Sequence, residues 1–355
     1  MKTRLLGKTP EELRAIAVEE GLPAFTGGQI AQWMYKKKVR SIDAMTNISK
    51  AGRERLSEKY EVGVSPVLSC MESSDGTRKY LLEVSCSHRS GLGAADSGEG
   101  LEKSAVEAVM IPDEDRRTLC VSSQAGCRMG CRFCMTGRQG FHGNLSAADI
   151  ISQYIAVDES DDLTNTVFMG MGEPLDNYEN VLRAITVLTE PWGFGWSPKR
   201  ITLSSIGVLP NLRRFLDETR CHLAISLHDP LPAERAQIMP VQKAYPLQDV
   251  LDLIRQYDFS GQRRVSFEYT MFSGLNDDKV HADALIRLLR GMECRVNLIR
   301  FHKIPDFPYG TSPAPVMEMF RDRLCSAGIT CTIRASRGED IYAACGMLAG
   351  RHNNE

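Results

Sequence analysis

The sequence predicts an α/β fold: a partial (β/α)6 barrel preceded by a small helical N-terminal domain and a short β hairpin extension. Three observations carry that reading. From residue 118 onward, short apolar runs alternate with amphipathic helical stretches, the pattern of a parallel sheet closed or curled into a barrel. Residues 1–60 show helix signals and carry 12 Lys and Arg against 7 Asp and Glu, although the whole chain has a net charge of −2. Between these regions, two stretches alternate apolar and polar residues with the period of two that a half-buried strand requires. The expected divisions are a helical domain over 1–62, a hairpin and linker over 63–112, the barrel over 113–350 and a tail over 351–355.

The first helix starts at Thr9 as cap, with Pro10 at the first helical position and Glu12 three residues beyond the cap. Leu13, Ile16 and Ala17 continue its apolar stripe, and Gly21 ends it. A second helix is expected over 28–38 and a third over 48–59. Lys36, Lys37, Lys38 and Arg40, with Arg53, Arg55 and Lys59, make this region basic: either a handle for nucleic acid or an ordinary solvated helix face. The hairpin strands fall at 79–84 and 106–110. Residues 87–100 between them, rich in Ser, Gly, Ala and charge, read as a flexible loop.

The barrel strands are expected at 119–122, 166–169, 200–204, 223–227, 265–271, 296–301 and 330–333. Helices fall near 146–157, 177–189, 247–257, 277–291 and 315–326. About six β/α units is short of the eight of a full barrel, and the open side would admit a large substrate. There is no run of 18 apolar residues and no signal-peptide pattern, so a cytoplasmic protein with no membrane contact is expected. Eleven cysteines in that compartment argue for metal and redox chemistry over a disulfide framework.

The densest chemistry lies in Cys127-Arg128-Met129-Gly130-Cys131-Arg132-Phe133-Cys134. Its three thiols are spaced to wrap one small inorganic cluster, and no fourth cysteine follows at cluster spacing. A cubane iron–sulfur cluster has four iron corners, so three ligands leave one open for chemistry. Structural zinc is the alternative, but it is closed by four ligands in two short pairs, and His142 fits a second pair poorly.

Other polar motifs end the predicted strands, where β/α barrels place their active face. Gly170-Met171-Gly172-Glu173-Pro174-Leu175 follows the second strand, and Ser204-Ser205-Ile206-Gly207 ends the third. Ser226-Leu227-His228 ends the fourth and Arg300-Phe301-His302 the sixth. Gly170 and Gly172 let backbone approach a ligand, and Glu173 can hold an ammonium group.

Three segments together resemble the RlmN-type radical S-adenosylmethionine (SAM) RNA methyltransferases: Thr118-Leu119-Cys120-Val121-Ser122-Ser123-Gln124-Ala125-Gly126-Cys127, Phe168-Met169-Gly170-Met171-Gly172-Glu173-Pro174-Leu175 and Arg337-Gly338-Glu339-Asp340-Ile341-Tyr342-Ala343-Ala344-Cys345-Gly346. The resemblance covers nearly the whole chain and implies a radical-SAM barrel. It implies methylation of adenine C2 in 23S ribosomal RNA, with tRNA as a further substrate in some members, using two SAM per turnover. Cys127, Cys131 and Cys134 would hold a 4Fe–4S cluster with SAM on the open iron. Gly172, Glu173, Ser204, Ser226, Leu227 and His228 match the residues that hold SAM. His302 sits at a further SAM-contact position, where many relatives have Asn. Cys345 matches the cysteine that becomes S-methylated, and Cys120 the one that attacks its sulfur, releases methylated RNA and leaves a disulfide. Glu107 matches the family's proton acceptor. A flavodoxin-type reductant and a monomeric enzyme go with this reading. The scheme answers a chemical problem, since adenine C2 is electron-poor and has no lone pair to attack a methyl sulfonium.

Read from residues alone, Cys345 and Cys120 are equally small packing residues, and Glu107 a solvated strand carboxylate. Arg128, Arg132 and Arg138 around the cluster loop are phosphate contacts or solubilising charges. Cys70, Cys86, Cys221, Cys294, Cys325 and Cys331 match no motif and are expected to pack; His142 and His222 are expected to be structural. Cfr-type methylation of adenine C8, a non-catalytic iron–sulfur RNA-binding protein and a radical enzyme acting on protein are the competing readings.

Overall fold

The computed structural model describes residues 2–87, 102–261 and 263–350. The predicted loop at 87–100, apart from Ser87, and the tail at 351–355 lie outside the described residues.

The N-terminal region comprises β1 (Thr3–Arg4), α1 (Pro10–Glu19), α2 (Thr26–Ala31), α3 (Lys50–Lys59) and β2 (Tyr60–Glu61), with β1 parallel to β2. The Thr9 hydroxyl accepts the Glu12 N–H, and the Glu12 carboxylate accepts the Thr9 N–H at 2.6 Å, so the capping box closes in both directions. The expected second helix is shorter than its pattern: α2 passes into a π-helical turn over Gln32–Lys36. A Cβ on Gly27 would lie 2.4 Å from the Arg14 backbone nitrogen, so only glycine lets α1 and α2 come this close. Leu5, Leu13, Ile30, Met34 and Leu56 are buried between these elements.

The rest of the chain is organised by one large sheet. Its antiparallel side is β3 (Val67–Glu72), β4 (Arg78–Cys86), β5 (Glu102–Asp113) and β6 (Arg116–Cys120). The hairpin extends the barrel sheet itself: β5 pairs with β6, Val109 opposite Cys120. After β6 come a small antiparallel pair, β7 (Gln124–Gly126) and β8 (Phe141–Asn144), which enclose the short helix α4 (Met135–Arg138). Then the β/α alternation runs α5 (Ala147–Ala156), β9 (Asn165–Phe168), α6 (Tyr178–Thr189), β10 (Ile201–Ser205), α7 (Leu209–Glu218) and β11 (His222–Ser226). It continues through α8 (Pro232–Ile238), α9 (Leu247–Ile254), β12 (Val265–Ser273), α10 (Lys279–Leu289), β13 (Arg295–Arg300), β14 (Gly310–Thr311), α11 (Ala314–Ser326) and β15 (Thr330–Ile333).

The sheet order is β15-β13-β12-β11-β10-β9-β6-β5-β4-β3, and every neighbouring pair from β6 to β15 is parallel. Six parallel crossovers therefore deliver their loops to one rim. Besides the one-turn α4, two helices escaped the sequence pattern. In α8 the inward residue is Arg235, fully buried, and a charge at a core position breaks the apolar period. In α7 a ten-residue span with Pro210 and two arginines buries only Leu212, Phe215 and Leu216. No helix among the described residues is long and apolar enough to cross a membrane.

The N-terminal region is tied to the barrel through Arg4. Its guanidinium contacts Asp149 at 2.5 Å and Ser152 at 3.2 Å and donates to the Gly63 carbonyl. Asp149 is buried and also takes part in the capping box of α5 with Ser146. Arg4→Met strands this buried carboxylate without its cation and should cost about 3 kcal/mol, read as a lower urea midpoint with the fold retained.

Candidate active site at the barrel rim

The loop after β6 wraps back on itself between β7 and β8. The Cys127 N–H donates to the Gly140 carbonyl at 2.8 Å, and the Cys134 N–H to the Cys131 carbonyl at 3.2 Å. The Arg132 N–H donates to the Ile238 carbonyl at 3.0 Å, which fastens the loop to the end of α8. Cys127, Cys131 and Cys134 line a single cavity with Gly172, Glu173, Ser204, Ser226 and His228. Burial pushes all three thiols up, Cys131 to about 12, so they ionise only when a cation draws them. Three soft donors on one wall, facing open cavity, fit a 4Fe–4S cluster held at three corners.

The facing walls come from the next strand ends. A Cβ on Gly170 would lie 2.6 Å from the Val121 carbonyl oxygen, and one on Gly172, at φ +95°, 2.5 Å from Gln124 Cβ. No other residue fits this turn. Glu173 is buried, and its oxygens accept the Leu175 and Ile206 N–H groups, each at 3.0 Å. Burial outweighs these bonds and pushes the carboxyl from 4.5 up to about 7. Ser204, Ser226 and His228 stand beside it on the cavity wall.

His228 is held in the left-handed region at φ +55° and its Nδ1 accepts the Thr270 N–H at 3.0 Å. A nitrogen that accepts carries no proton, so the neutral ring holds its proton on Nε2. Burial, reinforced by Arg235, lowers His228 to about 3, which keeps it a neutral donor. Leu227 is off the cavity wall and contributes backbone: its carbonyl and that of Ser226 each accept from Arg235 at 3.0 Å. Asn276 is fully buried, donates to the His228 and Thr270 carbonyls and accepts the Phe272 N–H. Glu268 and Thr270 of β12 complete the wall. Sequence reasoning missed Arg235, Asn276, Glu268 and Thr270, because each lies in a strand, helix or turn with no local motif.

Cys345 is exposed, unlike a packing residue, and lines this cavity. It also lines a second cavity. Its segment is held from both flanks. The Gly346 carbonyl accepts the Met135 N–H at 2.8 Å, and the Leu348 and Ala349 carbonyls accept from Thr136 and Gln139, each at 2.7 Å. Upstream, Asp340 accepts from Ser73 and Ser74, and Asp75 accepts the Gly338 N–H at 3.0 Å. Glu107 does not line either cavity. It is buried, pairs with Lys79 at 3.0 Å and accepts the Ala349 and Gly350 N–H groups at 2.6 and 3.0 Å.

Cys120 is buried at the end of β6, on the strand face of Thr118, which lines the second cavity. Burial, with Cys345 close enough to add its charge, pushes its thiol up to about 12. All eleven cysteines are free thiols, so the Cys120–Cys345 disulfide is not present in this structure; Cys70 and Cys325 are exposed rather than packed. His302 does not join the SAM-site candidates: it lines the second cavity and contacts Ser336 at 3.1 Å and Glu339 at 3.2 Å. Arg128 lies 3.8 Å over the Phe141 ring and 3.7 Å from Asp176, and Arg138 contacts Asp306 at 3.1 Å.

Residues 121–285 match the family model of the radical SAM superfamily, and residues 3–62 that of the ribosomal RNA large subunit methyltransferase N-terminal domain. A probable dual-specificity RNA methyltransferase RlmN of Porphyromonas gingivalis is 57% identical over 345 residues, 97% of this chain and 96% of the relative. The dual-specificity RNA methyltransferase RlmN of Syntrophus aciditrophicus is 39% identical over 96% of this chain and 94% of its own. The chain belongs to the RlmN family of radical SAM methyltransferases. The crystal structure of a radical SAM methyltransferase from Sphaerobacter thermophilus superposes with a TM-score of 0.89 at 34% identity, covering 98% of this chain and 100% of that one. The likeness to that structure accordingly includes the N-terminal region and not the barrel alone.

The raised Glu173 carboxyl has a stability consequence. Its folded value of about 7 exceeds the unfolded 4.5, so the folded state binds this proton more tightly. Stability is favoured at low pH and falls as pH rises from about 4.5 through 7, by up to about 3 kcal/mol. In protein without cluster or SAM, Glu173→Gln should flatten the decline in melting temperature between pH 5 and 8; an unchanged pH profile contradicts the assignment.

Proposed function

We propose that this chain is a radical SAM RNA methyltransferase that methylates adenine C2 in 23S ribosomal RNA, and in tRNA, through an S-methylated Cys345. The observation that carries the reading is the position of Cys345, exposed in the wall shared by the two cavities. One cavity has the cluster thiols and the polar groups suited to SAM; the other is open to a substrate. When bound, the cluster and SAM supply one-electron bond cleavage and the methyl group.

The chain's own residues do the rest. Cys127, Cys131 and Cys134 hold the cluster. Glu173 takes the SAM ammonium, and the His228 Nε2–H, Ser204 and Ser226 offer hydrogen bonds around it. Gly170 and Gly172 keep that wall free of side chains. Cys345 carries the methyl carbon to the adenine ring. The Cys120 sulfur then attacks the Cys345 sulfur, forming the S–S bond as the bond from Cys345 to the nucleotide carbon breaks. Glu107, with Lys79, holds the far end of the Cys345 segment; removing a proton from the ring would require it to give up those contacts.

The test is anaerobic reconstitution with iron and sulfide, followed by SAM, a chemical or flavodoxin-type reductant and 23S ribosomal RNA, then nucleoside digestion. The expected product is 2-methyladenosine; 8-methyladenosine or no methylated nucleoside overturns the reading. Cys345→Ala should lower methylation by roughly three orders of magnitude with cluster absorbance retained. Cys120→Ala should leave protein covalently attached to RNA, and recovery of only free RNA and free protein removes its proposed role.

A further inference from the structure

The second cavity differs in kind from the first. Its lining includes Arg116, Arg300, Arg334 and Arg337, with Asp113 as the only carboxylate. Arg334 reaches back to Glu268 at 3.4 Å, and Arg337 lies 3.4 Å from Asp113. Arg116 and Arg300 have no hydrogen-bond or ion-pair partner among the described residues. The four arginines come from three separate places in the chain: the start of β6 (Arg116), the end of β13 (Arg300) and the segment after β15 (Arg334 and Arg337). The floor beside Cys345 is apolar, formed by Val167, Ile299, Ala343 and Ala344. Guanidinium forks match phosphate in geometry, and a concave surplus of positive charge attracts an anion. An apolar slot ringed by cations has the shape of a nucleotide, base inward and phosphates outward.

We propose that this cavity receives the unstacked target nucleotide of an RNA strand, with Arg116, Arg300 and Arg337 holding the backbone phosphates on either side of it. This rests on the RNA methyltransferase reading and assigns the phosphate contacts that the reading leaves open. Arg128 and Arg138 are engaged with Phe141, Asp176 and Asp306, whereas the side chains of Arg116 and Arg300 in the second cavity have no such partners among the described residues.

The experiment measures binding of a fluorescent 23S RNA hairpin containing the target adenine to cluster-reconstituted protein, by anisotropy from 50 to 300 mM NaCl. Each phosphate contact contributes a slope of about 0.7–0.9 to log affinity against log salt. Arg116→Gln, Arg300→Gln and Arg337→Gln should each reduce the slope by about that amount and weaken binding about fivefold at 150 mM salt. Arg116→Lys and Arg300→Lys should keep most of the slope, and Arg321→Gln on the outer side of α11 should keep all of it. Cluster absorbance and melting temperature at parent values establish folding; Arg116 and Arg300 have no internal partner to lose. If the parent binds and methylates the hairpin while the Gln variants keep its slope and affinity, this cavity is not the phosphate site. If the parent itself leaves the hairpin unmethylated, the methyltransferase reading fails instead, whatever the slopes.

Discussion

The buried pair of Lys79 and Glu107 is the contact on which the placement of Cys345 most depends. Both side chains are nearly sealed from solvent, at 5% and 3% exposure, and they lie 3.0 Å apart. Such a pair is a poor source of net stability, because desolvation offsets most of the attraction, but losing one partner strands the other at a cost of roughly 3–5 kcal/mol. Here the carboxylate also accepts two backbone N–H groups of the segment that follows Cys345. The cost of breaking the pair is thereby shared by the segment. An exposed thiol on a loop with left-handed turns at Gly338, Tyr342 and Gly346 would otherwise sample many positions. Held downstream by Glu107 of β5 and by α4, and upstream by the turn between β3 and β4, it stays between two cavities.

This arrangement explains why the hairpin strands are part of the barrel sheet. β5 presents Glu107 toward the C-terminal segment and, two residues later, Val109 opposite Cys120 on β6. The strand that anchors one thiol's segment is thus hydrogen-bonded to the strand that carries the other. The cluster loop follows β6 directly, and α4 within it receives the Gly346 carbonyl. The loop that carries Cys127, Cys131 and Cys134, the Cys120 thiol and the Cys345 thiol are linked through short covalent or hydrogen-bonded steps.

Much of this was legible in the sequence where the chemistry is local. The cysteine triplet, the Gly172-Glu173 turn and the alternating strands and helices depend on neighbours a few residues away, and periodicity or spacing exposes them. The capping box at Thr9 and Glu12 was readable for the same reason. Contacts between distant segments were not. Lys79 and Glu107 read as ordinary strand residues until register brings them together, and Arg235 disguised α8 by placing a charge in the core. Asn276, which holds His228 and Thr270 in place, belongs to a turn with no motif. His302 ended the expected strand, yet its ring turns to Ser336 and Glu339, because the C-terminal segment packs there and supplies partners that sequence spacing does not reveal.

The two cavities also sort ligands by charge. Around the first, the ionisable groups are thiols, Glu173, Glu268 and a histidine kept neutral, with no arginine or lysine on the wall among the described residues. Glu173, raised to about 7, holds its proton in part near neutrality until a cation compensates its burial. An ammonium does so, and a sulfonium nearby adds to it; a phosphate would meet carboxylates and neutral donors but no cationic side chain among the described residues of the wall. The second cavity reverses the sign with its four arginines. Arg334 lies at the boundary, facing the second cavity while reaching Glu268 of the first, and its charge is felt by both Cys120 and Cys345. On the proposed reading, cationic SAM and anionic RNA are thus drawn to opposite sides of Cys345. The thiol that must meet both is the point where the two fields join.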